Sequence, residues 1–129
     1  SNIYYRGAVI INMLDILLLE KSDGKRGLRE VVNELSKQYG PNRAFSEADF
    51  INTFVEITYP EVGDFFEKYI IQAEPLPIKE YYTKVGIKYW PEVAEGEGDE
   101  KKTKKFVFEV DESANDKQLA LRKAWTTNL

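Results

Sequence analysis

The chain contains no histidine and no cysteine. Without imidazole or thiolate it cannot assemble the usual zinc site. It also cannot form the Ser–His or Cys–His pairs that most nucleophilic hydrolases use. The lack of cysteine excludes disulfides and leaves the compartment open. No long hydrophobic run is present: the longest apolar stretch, residues 8–19, is interrupted by Asn12 and Asp15. It is shorter than the ~20 residues a membrane span needs, so it reads as a buried core helix. Charge of one sign is not in excess either, with 18 basic and 22 acidic residues and a net charge of -4. That balance gives no electrostatic footprint for nucleic acid and none for an anionic membrane surface. No Walker loop, dinucleotide fingerprint or EF-hand loop occurs. Gly96 and Gly98 sit among acids, which would repel phosphate, and read as loop flexibility. No signal-peptide pattern opens the chain, and Ser1-Asn2 resembles the remnant of a cleaved tag.

What is present is a globular composition. Of 129 residues, 43% are hydrophobic and 13% aromatic. A chain of this length suits one domain and buries roughly two thirds of its unfolded surface. The patterning predicts a mainly α fold: a bundle-like domain of five to six helices with a C-terminal β-hairpin. Residues 3–21 are apolar on nearly every side, so this helix is expected at the centre. Ser22-Asp23-Gly24 ends it as a turn. Residues 27–39 carry Leu28, Val31, Val32, Leu35 and Tyr39 at helical spacing, stopped by Gly40-Pro41. Ser46 is a cap for the third helix, with Asp49 at the capping-box position and Phe45 and Phe50 at the staple positions. Pro60 and Pro77 open two further helices. One carries Val62, Phe65, Phe66, Tyr69 and Ile70, the other Ile78, Tyr81, Tyr82 and Val85. Residues 87–92 and 104–110 alternate as strands around a charged loop at 94–103. A last short helix, 116–125, carries Leu119, Leu121, Ala124 and Trp125. The helical part spans 3–89. The remainder, 90–129, belongs to the same domain or begins a following region.

Two acids can do hydrolytic work alone, so carboxylate pairs are candidates. Asp15 with Glu20, Glu30 with Glu34, and Asp64 with Glu67 are the spacings found. Glu30, Glu34 and Glu67 lie off the apolar stripes and read as solvated. Asp15 lies inside an apolar helix, where an acid must be paired or hydrogen-bonded. A structural link to a backbone amide or to Arg6 is favoured over catalysis. The 8 tyrosines, like Trp90 and Trp125, read as core or half-buried packing rather than as a stacking surface.

Several strings nevertheless point further. Tyr4-Tyr5-Arg6-Gly7-Ala8, running into a helix with Leu14-Asp15, resembles the Tyr-x-Lys-Gly-Ala…Leu-Asp segment of the glycyl aminopeptidase family. These are gluzincin metallopeptidases that often carry a PDZ domain. Asp23-Gly24-Lys25-Arg26-Gly27-Leu28 resembles that family's Gly-Lys-x-Ser-Leu helix start, with Gly27 in place of Ser. Phe45-Ser46-Glu47-Ala48-Asp49-Phe50 is similar to its Thr-x-x-Asp-Phe start. Asp64-Phe65-Phe66-Glu67-Lys68-Tyr69 is similar to its Phe-Phe-x-x-Tyr helix. Leu76-Pro77, Tyr81-Tyr82 and Val85-Gly86-Ile87 resemble its Leu-Pro-x-x-x-Tyr-Leu…Gly-Leu stretch. The resemblance covers residues 3–89 and shows no convincing PDZ pattern after Trp90.

The resemblance implies that this chain is the C-terminal helical lobe beside the cleft of a zinc-dependent aminopeptidase. In such enzymes the first tyrosine of the string donates to the oxyanion, which is electrostatic stabilisation of the transition state. Tyr4 holds that position, Arg6 replaces the usual lysine and keeps its charge, and Asp15 supports. The H-E-x-x-H helix and the downstream glutamate ligand are not in this chain. Zinc therefore belongs to the parent protein, no cofactor to this chain, and the isolated chain is expected to be inactive. Its partners would be the N-terminal catalytic lobe of the same polypeptide and, in the parent, a peptide substrate. A lobe cut from its partner should expose an apolar face and could dimerise through it. The rival reading is a small helical module with an aromatic groove that binds a peptide or protein. An open Tyr4 hydroxyl favours the enzyme reading, and a sealed one favours its rival.

Overall fold

In a computed structural model of the protein, residues 2–40, 46–94 and 103–127 are described, with side chains from 5–40, 46–90 and 108–127. The chain forms α1 (Asn2–Lys21), α2 (Leu28–Tyr39), α3 (Glu47–Glu56) and α4 (Pro60–Phe66), the last continuing into a π-helical turn (Glu67–Ile71). α5 (Ile78–Lys84), β1 (Ile87–Ala94), β2 (Thr103–Val110) and α6 (Asp116–Thr127) follow. The expected mainly helical architecture with a C-terminal antiparallel hairpin is the one observed.

α1 is central, as its all-round apolarity requires. It packs against α2, α4, α5 and α6. Met13, Ile16, Leu18 and Leu19 have no exposed surface. Full burial of a side chain of this size contributes about 1.5–3 kcal/mol each. Around them an aromatic layer continues the core by edge contacts: Phe54 on Phe66, Phe65 on Tyr81, and Tyr82 on Trp125.

The helix ends follow local chemistry. The Leu19 carbonyl accepts from the Gly24 amide at 2.7 Å, closing α1. Ser46 Oγ accepts from the Asp49 amide at 3.1 Å, the cap expected for α3. Phe45, its expected staple, lies outside the described residues. Gly86 joins α5 to β1 at φ 69°, where a Cβ would come within 2.9 Å of Ala114 and of the Arg122 guanidinium.

Some expectations are corrected. The helix opened by Pro60 does not stay α-helical: the Gln72 amide donates to the Glu67 carbonyl, the wider π spacing. The wider turn slips the phase of the stripe, and Ile70, expected inside, is 48% exposed. On α6, Leu121 is buried with Ala124 and Trp125 beside the core, while Leu119 faces out. Positions 119 and 121 lie on opposite sides of a helix, so one had to lose. Trp90, expected as a packing anchor, is largely exposed because alternation along β1 gives the inner face to its neighbour Tyr89. The charged loop falls largely on residues outside those described.

Leu18→Ala is expected to destabilise the protein by about 2–5 kcal/mol through the cavity it leaves. Leu119→Ala should stay within about 0.5 kcal/mol of wild type. Urea midpoints at constant slope measure both.

Candidate functional site

α1 is enclosed at its C-terminal end and open at its N-terminal end. Val9 and Met13 point inward, whereas Gly7, Ala8 and Ile11 are exposed. At 3.6 residues per turn, positions 4, 8, 11 and 15 fall on one stripe of the helix. That stripe holds Tyr4, Ala8, Ile11 and Asp15. The backbone of Tyr4 is within α1, and its side chain lies outside the described residues. Val32 of α2, itself exposed, extends the stripe sideways. Between the two helices runs a shallow groove of about 340 Å³ bordered by Ile11, Asn12, Asp15, Leu28 and Val32.

Two polar side chains of α1 tie it to its neighbours. Arg6 Nη2 donates to the carbonyls of Tyr69 and Glu74, each at 2.8 Å. Those carbonyls belong to the π-helical turn and the segment after it, where Ala73 takes a positive φ of 52°. Arg6 thereby ties the start of α1 to a backbone whose acceptors the helix itself leaves unused. It does not meet Asp15.

Asp15 takes the other route foreseen for it, a bond to a backbone amide. Its Oδ1 accepts from the Leu28 amide at 2.8 Å. Leu28 opens α2, and the N-cap residue is Gly27, which has no side chain to cap with. Asp15 supplies the missing oxygen from a different helix, while Glu30 Oε1 accepts from the Gly27 amide at 2.7 Å. An added Cβ at Gly27 would lie 2.5 Å from Asp15 Oδ1. Gly27 is therefore the residue that admits this carboxylate. Sequence reasoning read Gly27 only as a departure. The signal that could have identified its role was a bare glycine at an N-cap with glutamate three positions on. Burial raises the Asp15 carboxyl above its ordinary value and nearby Glu30 adds to the rise, against the lowering by the Leu28 amide.

The remaining carboxylates are not gathered. Glu20 pairs with Lys84 at 2.9 Å, and Glu34 takes Arg26 Nε and Nη2 at 2.6 and 3.0 Å. Glu67 accepts from Gln72, and Asp64 is exposed. Among the described residues no group of 3 or more His, Cys, Asp or Glu is placed to hold a metal. Beside the start of α1 stands a tyrosine group. Burial pushes the Tyr89 phenol up to about 12, with Tyr5 adding through its charge and a hydrogen bond, and Tyr82 through its charge. Burial raises Tyr82 as well, with Tyr5 adding to it. These phenols stay protonated at neutral pH and act as hydrogen-bonding packing groups.

Comparison with protein-family models, with curated proteins and with solved structures finds no match for this chain.

The Asp15 shift sets a pH signature. Its folded value is raised above 3.8, so protonation favours the folded state. The contribution is fully present below the ordinary carboxylate value and is lost as pH rises through the folded value. Asp15→Asn keeps an acceptor for Leu28 and carries no charge. Its stability relative to wild type should rise between about pH 4 and neutrality. Asp15→Ala, which orphans the Leu28 amide, should cost about 1 kcal/mol near pH 4 and less as pH rises. Denaturation midpoints from pH 4 to pH 7 measure both trends.

Proposed function

We propose that this chain is the helical lobe beside the active-site cleft of a zinc-dependent aminopeptidase of the glycyl aminopeptidase type, with the metal held by another lobe. The observation that carries the reading is the open face of α1. A helix that is otherwise the centre of the core leaves Ala8 and Ile11 uncovered on the stripe shared with position 4. Arg6 and Asp15 are spent on holding that helix in place, Arg6 near its start and Asp15 farther along. An uncovered apolar stripe on a central helix is what a docking lobe would bury.

In this reading Tyr4 is the catalytic residue and Arg6 and Asp15 are positioning residues. The Tyr4 phenol donates a hydrogen bond to the oxyanion that develops on the scissile carbonyl. Removing one such donor typically costs 10²–10³ in kcat, about 2.7–4 kcal/mol of transition-state stabilisation. A second lobe docked on that face would exclude water and strengthen the bond. The remaining catalytic groups come from the docked lobe, and the peptide substrate binds in the cleft beside it.

A second reading, a peptide- or protein-binding module without catalysis, draws on the hairpin. Trp90, Phe108 and Val110 are exposed there at 41%, 46% and 56%. Exposed aromatic surface of this kind suits a partner protein.

One experiment separates the readings. The chain alone, incubated with zinc and a panel of peptides, is expected to give no turnover. The parent protein, carrying its upstream lobe, is expected to release N-terminal residues. In the parent, Tyr4→Phe should lower kcat by a factor of about 10²–10³ with an unchanged melting temperature. A parent without an upstream H-E-x-x-H sequence, or a Tyr4→Phe parent with full kcat, overturns the aminopeptidase reading.

A further inference from the structure

The α1 stripe that starts at position 4 leads into the groove against α2. Position 11 lies about 10 Å along the helix axis from position 4, and position 15 about 16 Å. Ile11 of α1 and Val32 of α2 line the groove together with Leu28, and the first two are 58% and 44% exposed. Both walls are therefore apolar and open to a ligand. The volume of about 340 Å³ lies at the small end of the range for ligand sites.

The polar groups of the groove are few. Asn12 and Asn33 border it, and a carboxamide can both donate to and accept from a peptide backbone. Asp15 and Arg29 line it as acid and base, so their formal charges cancel. Asp15 is moreover engaged by the Leu28 amide. Such a lining selects an apolar side chain with its peptide backbone over a charged side chain.

We propose that this groove holds the part of a peptide substrate that follows the scissile bond, with an apolar residue seated between Ile11 and Val32. The inference rests on the aminopeptidase reading, in which position 4 marks the scissile carbonyl. An enzyme that removes one residue at a time from the amino end has only that residue on the near side of the bond. A groove that runs on from position 4 therefore serves the residues after it. An extended chain advances about 3.3 Å per residue, so Ile11 stands level with about the third residue after the bond and Asp15 with about the fifth. A lobe docked on the stripe would roof the groove and turn it into a channel. The substrate class is thus peptides of about six residues or more, with a leucine-like side chain at the third place after the bond. A dipeptide ends before it reaches the groove.

The test uses the parent protein and synthetic six-residue peptides, identical except for leucine or lysine at the third place after the bond. The kcat/KM for the leucine peptide is expected to be about tenfold higher or more. Ile11→Glu puts a carboxylate on one wall and should reverse that order, and Val32→Glu on the other wall should do the same. Both positions are exposed in this lobe, so the variants fold. Leu119→Glu, on the exposed side of α6, should keep the wild-type preference. Equal cleavage of the two peptides by wild type, or a preference unmoved by Ile11→Glu and Val32→Glu, overturns the proposal while the aminopeptidase reading stands. An equal loss on every peptide in both variants, dipeptides included, marks the groove as a lobe-docking surface and overturns it as well. A parent that releases no amino-terminal residue from any peptide overturns the aminopeptidase reading, and this inference falls with it.

Discussion

One constraint governs this molecule: water must be excluded from the second half of α1 on every side. Residues with no exposed surface recur through that half, and no single neighbouring helix could cover them all. α2, α4, α5 and α6 are therefore drawn around one axis, each contributing a strip of contact. Dispersion and desolvation set this arrangement, since among the described residues no charged or polar residue is buried within the core. Polar groups act at the margins, where helix ends meet. Asp15 reaches the start of α2, Arg6 the end of the π-helical turn, and Glu20 the far end of α5 through Lys84. Such exposed or half-exposed links set geometry more than they set stability.

Much of the architecture was readable from residue patterns because it rests on local rules. The apolar run of α1 marked the axis, Ser46 and Pro60 marked helix starts, and alternation at Phe106, Phe108 and Val110 marked a strand. What escaped was long-range. The π-helical turn has no signature in residues 67–71 themselves, because the carbonyls it leaves free are taken by Arg6, far earlier in the chain. The exposure of Trp90 follows from which face of the hairpin lies against Tyr82, a fact about packing rather than spacing. Leu119 shows the opposite failure, since the angular spacing of α6 already implied that it and Leu121 could not share a face.

The candidate site divides in the same way. That Asp15 would bind a backbone amide followed from the cost of leaving a carboxylate unpaired in an apolar helix. Which amide it binds depended on a glycine whose missing side chain makes room. The resemblance to aminopeptidases named Tyr4, Arg6 and Asp15 together. Arg6 and Asp15 hold the helix at separate points, and Tyr4 shares the stripe of Ile11. The exposed stripe itself could not be read from hydrophobicity, because Ala8 and Ile11 are as apolar as the residues buried beside them.

The cap on α2 couples events that are usually independent. A helix that carries its own capping side chain can form its first turn before the rest of the protein is organised. Here the capping oxygen belongs to a residue 13 positions earlier, on another helix. The beginning of α2 therefore gains that part of its stabilisation only once α1 is docked against it, and loses it when they separate. Amide hydrogens at the start of α2 should open together with α1 rather than by independent fraying. The two helices thus form one cooperative unit, and the open stripe between them keeps its shape as long as either persists.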